Sequence, residues 1–229
     1  MALLNKIGHV LTTDLTKDFK ISRKQKISEH QQIPFVEQLK KRRSIYQLGK
    51  RVQHSQAYLT ELIEEAVKSC PSAYNAQTAR VVVLFSDSHH QFWDIVKDVQ
   101  RQYVPPQIYE GVEVKLNQCR NALGTILFYE DQQVIQQLQK KVPFSAEDFP
   151  VWSEQSSGMV QYAAWTALAS AGVEASLQHY NPQIDRRVGE HFQIDLNWLL
   201  RAQLCFGSIE ETIAEKVKQP EQEFFQVFS

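Results

Sequence analysis

Two polar segments of this 229-residue chain carry side chains that suit the two ends of a phosphorylated ring cofactor. In the first, Arg42, Arg43 and Ser44 offer two guanidiniums and a hydroxyl, which suit a phosphate. In the second, Asn75 and Gln77 offer amides that can pair with the polar edge of a planar heterocycle. Together the segments favour flavin mononucleotide (FMN). Taken separately, the first can also be a solvated basic turn and the second an ordinary loop turn.

Several motifs along the chain together resemble the flavin-dependent nitroreductase family, most closely its short single-domain branch. They occupy residues 42–46, 71–77, 104–106, 149–156, 175–182 and 200–207. The resemblance implies an α+β fold in which a nitroreductase-like mixed sheet is flanked by helices, with FMN at a homodimer interface. It assigns residues 36–229 to the nitroreductase-like domain.

The resemblance also assigns roles within the cofactor site. It implies that Arg42 and Ser44 hold the phosphate and the ribityl chain, with Arg43 adding its backbone or a charge-assisted bond. Asn75 is implied to reach the polar edge of the flavin ring, and Gln77 to shape that edge. No catalytic side chain and no metal ligand are predicted, because the chemistry belongs to FMN.

A third segment, Gln178 and His179, matches a family segment whose backbone amides approach the flavin N5 and O4 atoms. A structural role for His179 is the alternative. Four aromatic residues are candidates to line an acceptor pocket, with burial in the core as the alternative for each. They are Tyr103, Phe149, Trp152 and Tyr180.

The carboxyl-terminal region departs from the family pattern. Lys216 lies where the family supplies a further phosphate-binding cation. Related chains tend to carry Lys and Arg where this chain has Ser208 and Phe224. The sequence therefore predicts either weaker phosphate binding or a site that depends on Lys216 alone.

These assignments predict an FMN-dependent NAD(P)H oxidoreductase that reduces nitroaromatic or quinone-like acceptors by a ping-pong mechanism. NADH or NADPH would bind transiently over the flavin, because the chain contains no GxGxxG fingerprint for a dinucleotide. The alternative is a flavin-binding regulatory or stress-response protein with incidental or no turnover. Failure of NADH and NADPH to reduce a bound flavin would favour that alternative.

Composition removes several other classes of function. The net charge of −1 gives no general excess of cations for nucleic-acid binding. Three cysteines without a CxxC spacing favour neither a disulfide framework nor a zinc site. The interrupted apolar pattern of the first 20 residues predicts neither a signal peptide nor a membrane span, so we expect a cytoplasmic protein. His89 and His90 resemble a metal-binding pair, but adjacent helical residues do not face one another, so they are interpreted as a solvated helix start.

Hydrophobic periodicity predicts a helix-rich chain without regular βα alternation, which also favours an α+β fold. Helices are predicted around residues 35–39, 58–67, 92–99 and 134–138. The longest helix is predicted to begin near Ser153 or Ser156 and to run to Ala171, with Gly172 as its stop. Strands are predicted at residues 81–85, 122–129 and 201–206, the first a central strand covered on both faces.

The two ends of the chain carry separate predictions. Residues 1–35 are polar and basic and are expected to form a mobile arm. Alternatively, Leu3, Ile7 and their apolar neighbours form a short helical face that docks on a partner or subunit. By resemblance, the aromatic tail after Gly207 embraces the other subunit of a homodimer. The alternative is that Phe224, Phe225 and Phe228 pack against their own subunit.

Overall fold

In the part of the chain that the structure describes, five strands form one sheet and seven helices cover both of its faces. The computed structural model describes residues 34–211 and 226–228. The described strands are β1 (Leu48–Gly49), β2 (Ala79–Phe85), β3 (Gly124–Asp131), β4 (Glu174–Gln178) and β5 (Trp198–Ile209). The described helices are α1 (Pro34–Lys41), α2 (Gln56–Lys68), α3 (Ser86–Tyr103), α4 (Pro106–Asn121), α5 (Gln132–Lys141), α6 (Phe149–Ser170) and α7 (Asp185–Phe192).

The strand order of the sheet is β1-β5-β3-β2, and β4 also pairs with β5. These strands pair antiparallel. One isolated parallel bridge joins Ser44 to Ala175 of β4. The predicted α+β class is confirmed.

Side chains of β3 point alternately to the two faces of the sheet and so contribute to two separate layers of the core. Leu127 and Tyr129 face one layer, which contains Trp93 of α3. Ile126 and Phe128 face the other, which contains Leu168 of α6. Because successive side chains of a strand point to opposite faces, one apolar strand can support both helical layers.

The longest helix, α6, ends where the sequence predicts. It stops at Ser170, and Gly172 has a φ of 74°, a left-handed conformation that glycine adopts without steric cost. It begins at Phe149, before either predicted start. Pro150 explains the earlier start, because proline is well suited to the first turn of a helix.

The prediction of a central position for residues 81–85 is wrong within the described chain. The segment does form a strand, but β2 lies at one end of the strand order and pairs only with β3. Of its residues, Leu84 is buried and the others are half-buried. Helices cover both faces of an edge strand as well as those of a central strand, so an apolar run does not reveal whether a second strand lies beside it.

The prediction of a solvated helix start at His89 is also wrong, because this side chain is fully buried in α3. Its Nε2 lies 3.1 Å from the carbonyl oxygen of Arg120 and its Nδ1 lies 2.9 Å from Thr125 Oγ1. The indole of Trp93 donates to the same Thr125 oxygen at 2.9 Å. A carbonyl oxygen can only accept, so Nε2 carries the proton. In the neutral ring Nδ1 is then an acceptor, and the threonine hydroxyl donates to it.

Burial lowers the pKa of His89 to about 4. Between pH 6.5 and pH 4, His89 binds a proton in the unfolded chain more readily than in the folded one. The free energy of unfolding is therefore highest above pH 6.5 and decreases as the pH falls towards 4. Between pH 7 and pH 5 the wild type should lose about 2 kcal/mol more unfolding free energy than His89→Gln. Urea unfolding at the two pH values measures this difference. His191→Gln, at an exposed position, should keep the wild-type pH dependence, and an identical dependence in His89→Gln would contradict the assignment.

Several predictions concern residues outside the described ranges. The arm at residues 1–35 falls almost wholly there, as do Lys216 and Phe224. Within residues 34–211 and 226–228, no helix has the length and hydropathy that crossing a bilayer requires.

Candidate functional site

The segment Arg42–Ser44 is fastened along the outer edge of β4. The Ile45 N–H donates to the carbonyl of Ala175 at 3.1 Å, and Ser44 forms the parallel bridge to the same residue. The Ile45 side chain is buried in the core. Because side chains alternate along extended backbone, the anchoring of Ile45 leaves Ser44 exposed.

The Arg42 side chain is a cation with an unpaired hydrogen-bond donor among the described residues. Its guanidinium lies 4.3 Å from the centre of the Trp165 ring and 5.9 Å from that of Tyr162, both in α6. Its buried Nε has no hydrogen-bond partner among the described residues. A guanidinium that stacks on an aromatic ring and has an N–H without a partner is suited to binding an anion. This segment therefore fits a phosphate group.

A buried carboxyl, Glu174, lies beside these cations. It accepts a hydrogen bond from the backbone N–H of Arg43. Burial raises its pKa, while this bond and the charges of Arg42 and Arg43 act in the opposite direction. Its Oε2 has no hydrogen-bond partner among the described residues.

The second segment, residues 71–77, is an unusual turn. Tyr74, Asn75 and Gln77 have φ values of 55°, 51° and 48°, which place three non-glycine residues in the left-handed region. The Gln77 amide donates to Asn75 Oδ1 at 2.9 Å, and the Gln77 backbone N–H donates to Ser72 Oγ at 3.0 Å. Arg80 donates to the Gln77 carbonyl at 2.8 Å. These bonds hold the two amides side by side at the surface.

Tyr74 rests on aromatic residues at the start of α6. Its ring stacks on Trp152 at 5.8 Å and lies 5.5 Å from Phe149. Ser153, the next residue of α6 after Trp152, donates a hydrogen bond to the fully buried carboxyl group of Glu130. This packing supports the turn in its left-handed conformation.

The third segment follows β4. Gln178 ends the strand and donates to Ser176 Oγ at 3.2 Å, and His179 after it is exposed. The Tyr180 N–H donates to the side chain of Gln203 at 2.9 Å, and Gln203 is fully buried in β5. The position of this loop is therefore fixed from within the sheet.

The structure brings some of the predicted site residues together and not others. Ala175 and Gln178 lie on one strand, about 10 Å apart at about 3.3 Å per residue. The first and third segments can therefore serve opposite ends of one ligand. By contrast, Trp152 beside Tyr74 and Trp165 beside Arg42 are 13 positions apart on α6. That is about 20 Å along the helix.

Three parts of the fold carry the four candidate acceptor-pocket aromatics: Phe149 and Trp152 lie together in α6, Tyr103 ends α3, and Tyr180 follows β4. Phe149 is 3% exposed and belongs to the core, whereas Tyr103 at the end of α3 is 64% exposed. Tyr180 packs edge-on against Trp93 at 5.8 Å. Trp152 is half-buried beneath Tyr74. In a single chain these four residues form no common pocket wall.

Ser208, where the family resemblance predicts a lysine, forms hydrogen bonds with two nearby residues. It accepts a hydrogen bond from the Arg51 N–H at 3.0 Å and donates to Glu210 at 2.7 Å. Among the described residues, no group of three or more His, Cys, Asp or Glu side chains is placed to hold a metal ion.

Comparison with known proteins decides the family. The model of the nitroreductase family matches residues 39–208. The chain belongs to the nitroreductase family. The match contains all three polar segments, Arg42–Ser44, Asn75–Gln77 and Gln178–His179, so the predicted family assignment is confirmed.

Individual nitroreductases are similar over most of the chain. The yeast nitroreductase FRM2 of Saccharomyces cerevisiae is 28% identical over 176 residues, covering 76% of this chain and 86% of FRM2. The nitroreductase CinD of Lactococcus lactis, in complex with chloramphenicol, is 41% identical with a TM-score of 0.79. In complex with 4-nitrophenol it is 42% identical with a TM-score of 0.76. Both CinD structures cover 85% of this chain and all of CinD.

A more distant likeness concerns the fold alone. A Desulfovibrio desulfuricans protein solved in complex with FMN is 18% identical, with a TM-score of 0.65. The match spans 87% of this nitroreductase family member and the whole of the Desulfovibrio chain.

Proposed function

We propose that this nitroreductase family member is an FMN-dependent oxidoreductase that takes hydride from NADH or NADPH and reduces nitroaromatic or quinone-like acceptors. Both half-reactions would use one pocket in turn, which is a ping-pong mechanism. The observation that carries the proposal is the Arg42 guanidinium, stacked on Trp165 with an unpartnered buried Nε beside β4. Such a cation favours an anionic group next to a strand whose far end carries Gln178.

The residues present fit FMN, and each has a defined task. Arg42, Arg43 and Ser44 would bind the phosphate and ribityl chain, with Lys216 as a further predicted cation. The backbone at Gln178 and His179, held through Tyr180 and Gln203, would orient the ring. The amides of Asn75 and Gln77 would meet its polar edge. When bound, FMN supplies hydride transfer, so the protein has only to bind, orient and shield it.

A homodimer is part of the proposal, because one chain leaves apolar surface open and site segments separated. An apolar groove of about 480 Å³ lies between α1, α2 and α6 and includes Phe35 and Met159. On the side of β2 away from β3, no strand among the described residues pairs with it. Phe228 is 90% exposed, which supports a second copy as the surface that covers it. A second copy could cover these surfaces and supply its own Asn75 turn to the Arg42 site.

The acceptor class follows from the relatives. CinD was solved with 4-nitrophenol and with chloramphenicol, and it is about two-fifths identical to this chain. Small aromatic acceptors, nitroaromatic compounds among them, are therefore the first to test. A cytoplasmic location stays a prediction.

The visible absorption spectrum of the purified protein tests the proposal. We expect flavin bands that bleach on anaerobic addition of NADPH or NADH and return when 4-nitrophenol is added. Flavin bands that neither nicotinamide bleaches would contradict the enzyme proposal and favour the regulatory alternative. A colourless protein that cannot be reconstituted with FMN would contradict flavin binding altogether.

A further inference from the structure

Glu174 is an acidic group in a place where the proposed function needs positive charge. Its side chain is 8% exposed. It directly precedes Ala175, the residue to which Ser44 and Ile45 are bridged. A buried carboxyl beside the phosphate-binding segment needs an explanation, because burying a charge is costly unless it is paired.

One part of the explanation is positional. The carboxyl accepts the N–H of Arg43, in the middle of the segment that the phosphate would contact. With the Ile45 bond to Ala175, this gives the segment two backbone anchors on one strand. Neighbouring anchors of this kind restrict the rotation of residues 42–44 before any ligand arrives.

The other part is electrostatic. The carboxylate acts on Arg42 and Arg43, the same cations that the phosphate would use. One carboxylate oxygen is buried without a hydrogen-bond partner among the described residues, so its charge is only partly compensated. A phosphate approaching the segment would therefore meet attraction from Arg42 and Arg43 and repulsion from Glu174.

We infer that Glu174 both fixes the Arg42–Ser44 segment for the flavin phosphate and weakens the binding of that phosphate, so that FMN is held as an exchangeable ligand. This inference rests on the proposed function. Glu174 is a positioning residue, and its charge reduces the preference for FMN over riboflavin, which lacks the phosphate.

Flavin titrations of two variants separate the two roles. Dissociation constants for FMN and riboflavin are measured from flavin fluorescence at pH 8, where a carboxyl is ionised. Glu174→Gln keeps an oxygen that can accept the Arg43 N–H but removes the charge. We expect it to bind FMN about tenfold more tightly while its riboflavin affinity changes less than about twofold.

Glu174→Ala removes both the charge and the hydrogen-bond acceptor. We expect its preference for FMN over riboflavin to rise as in Glu174→Gln, while it binds FMN more weakly than Glu174→Gln does. Glu110→Gln makes the same change of charge at an exposed position of α4 and should leave both affinities unchanged. Circular dichroism verifies that each variant is folded, and either Glu174 variant alone suffices to test the electrostatic part.

The outcomes distinguish this inference from the proposed function. If the wild type binds both flavins and neither Glu174 variant changes the FMN preference, the inference is overturned and the proposed function stands. If Glu174→Ala and Glu174→Gln bind FMN equally well, the positional role is overturned. If the wild type binds neither flavin, both the inference and the proposed function are overturned.

Discussion

A carboxylate introduced by Met159→Glu should raise the dissociation constant of the proposed homodimer by about a thousandfold and remove most of the bound flavin. Met159 lies in the apolar groove between α1, α2 and α6, and its side chain is 42% exposed in the single chain. If a second copy covers the groove, the new charge becomes buried without a partner, which costs about 3 to 5 kcal/mol. In the single chain the same charge reaches water, so folding should be little affected.

Analytical ultracentrifugation over a range of protein concentrations measures this effect, with flavin absorbance recorded on the same samples. Gln102→Glu provides the control, because it introduces the same charge at an exposed position of α3 outside the groove. A Met159→Glu protein that remains dimeric and flavin-bound would show that the groove is not the interface. A monomer that retains its flavin would show that one chain suffices for the site.

Removal of the guanidinium by Arg42→Ala should weaken FMN binding by about 1.5 to 3 kcal/mol, which is about ten- to 150-fold. The reason is that Arg42 would supply, in the proposed site, a charge-assisted bond to the phosphate from a side chain that Trp165 already holds in place. Riboflavin has no phosphate, so its affinity should change little. The loss should therefore appear as a reduced preference for FMN and not as a general loss of flavin binding.

Arg42→Lys refines this test, because lysine keeps the charge but lacks the planar fork that stacks on an indole. Its FMN affinity should lie between those of the wild type and Arg42→Ala. Fluorescence titration with both flavins provides the measurement. An equal loss of FMN and riboflavin binding in Arg42→Ala would indicate a structural role for the side chain, and unchanged retention of FMN would remove Arg42 from the site.

Elements with a strong periodic signal were predictable from the sequence. The small residues of α6 and the stop at Gly172 define that helix, and the apolar run of β3 defines a strand buried along its whole length. Helices α4 and α7 were not identified, because few of their residues face the core. In α7 only Val188 is buried, so its sequence carries almost no apolar pattern.

The chemistry of the candidate site could be inferred from residue types, but its contacts could not. Arg42 and Ser44 could be found from residue type, and their neighbour Ala175 lies in a motif of its own. The stacking of Arg42 on Trp165 joins positions 123 residues apart, and no local pattern encodes such a contact. Glu174 carried a signal that was overlooked, since an acidic residue that begins an otherwise uncharged strand needs a partner.

If the segments at Arg42–Ser44 and at residues 71–77 bind FMN as proposed, the contrast between them sets an order in which the flavin would be released. Each left-handed non-glycine residue of the turn at 71–77 stores about 1 to 3 kcal/mol of backbone strain. Opening the turn relieves that strain without separating β2 from β3, so it requires only local unfolding. The segment at Arg42–Ser44 cannot open locally in the same way, because Ile45 is packed in the core and hydrogen-bonded to β4. A flavin held by both segments would lose its ring-edge contacts first and leave phosphate last.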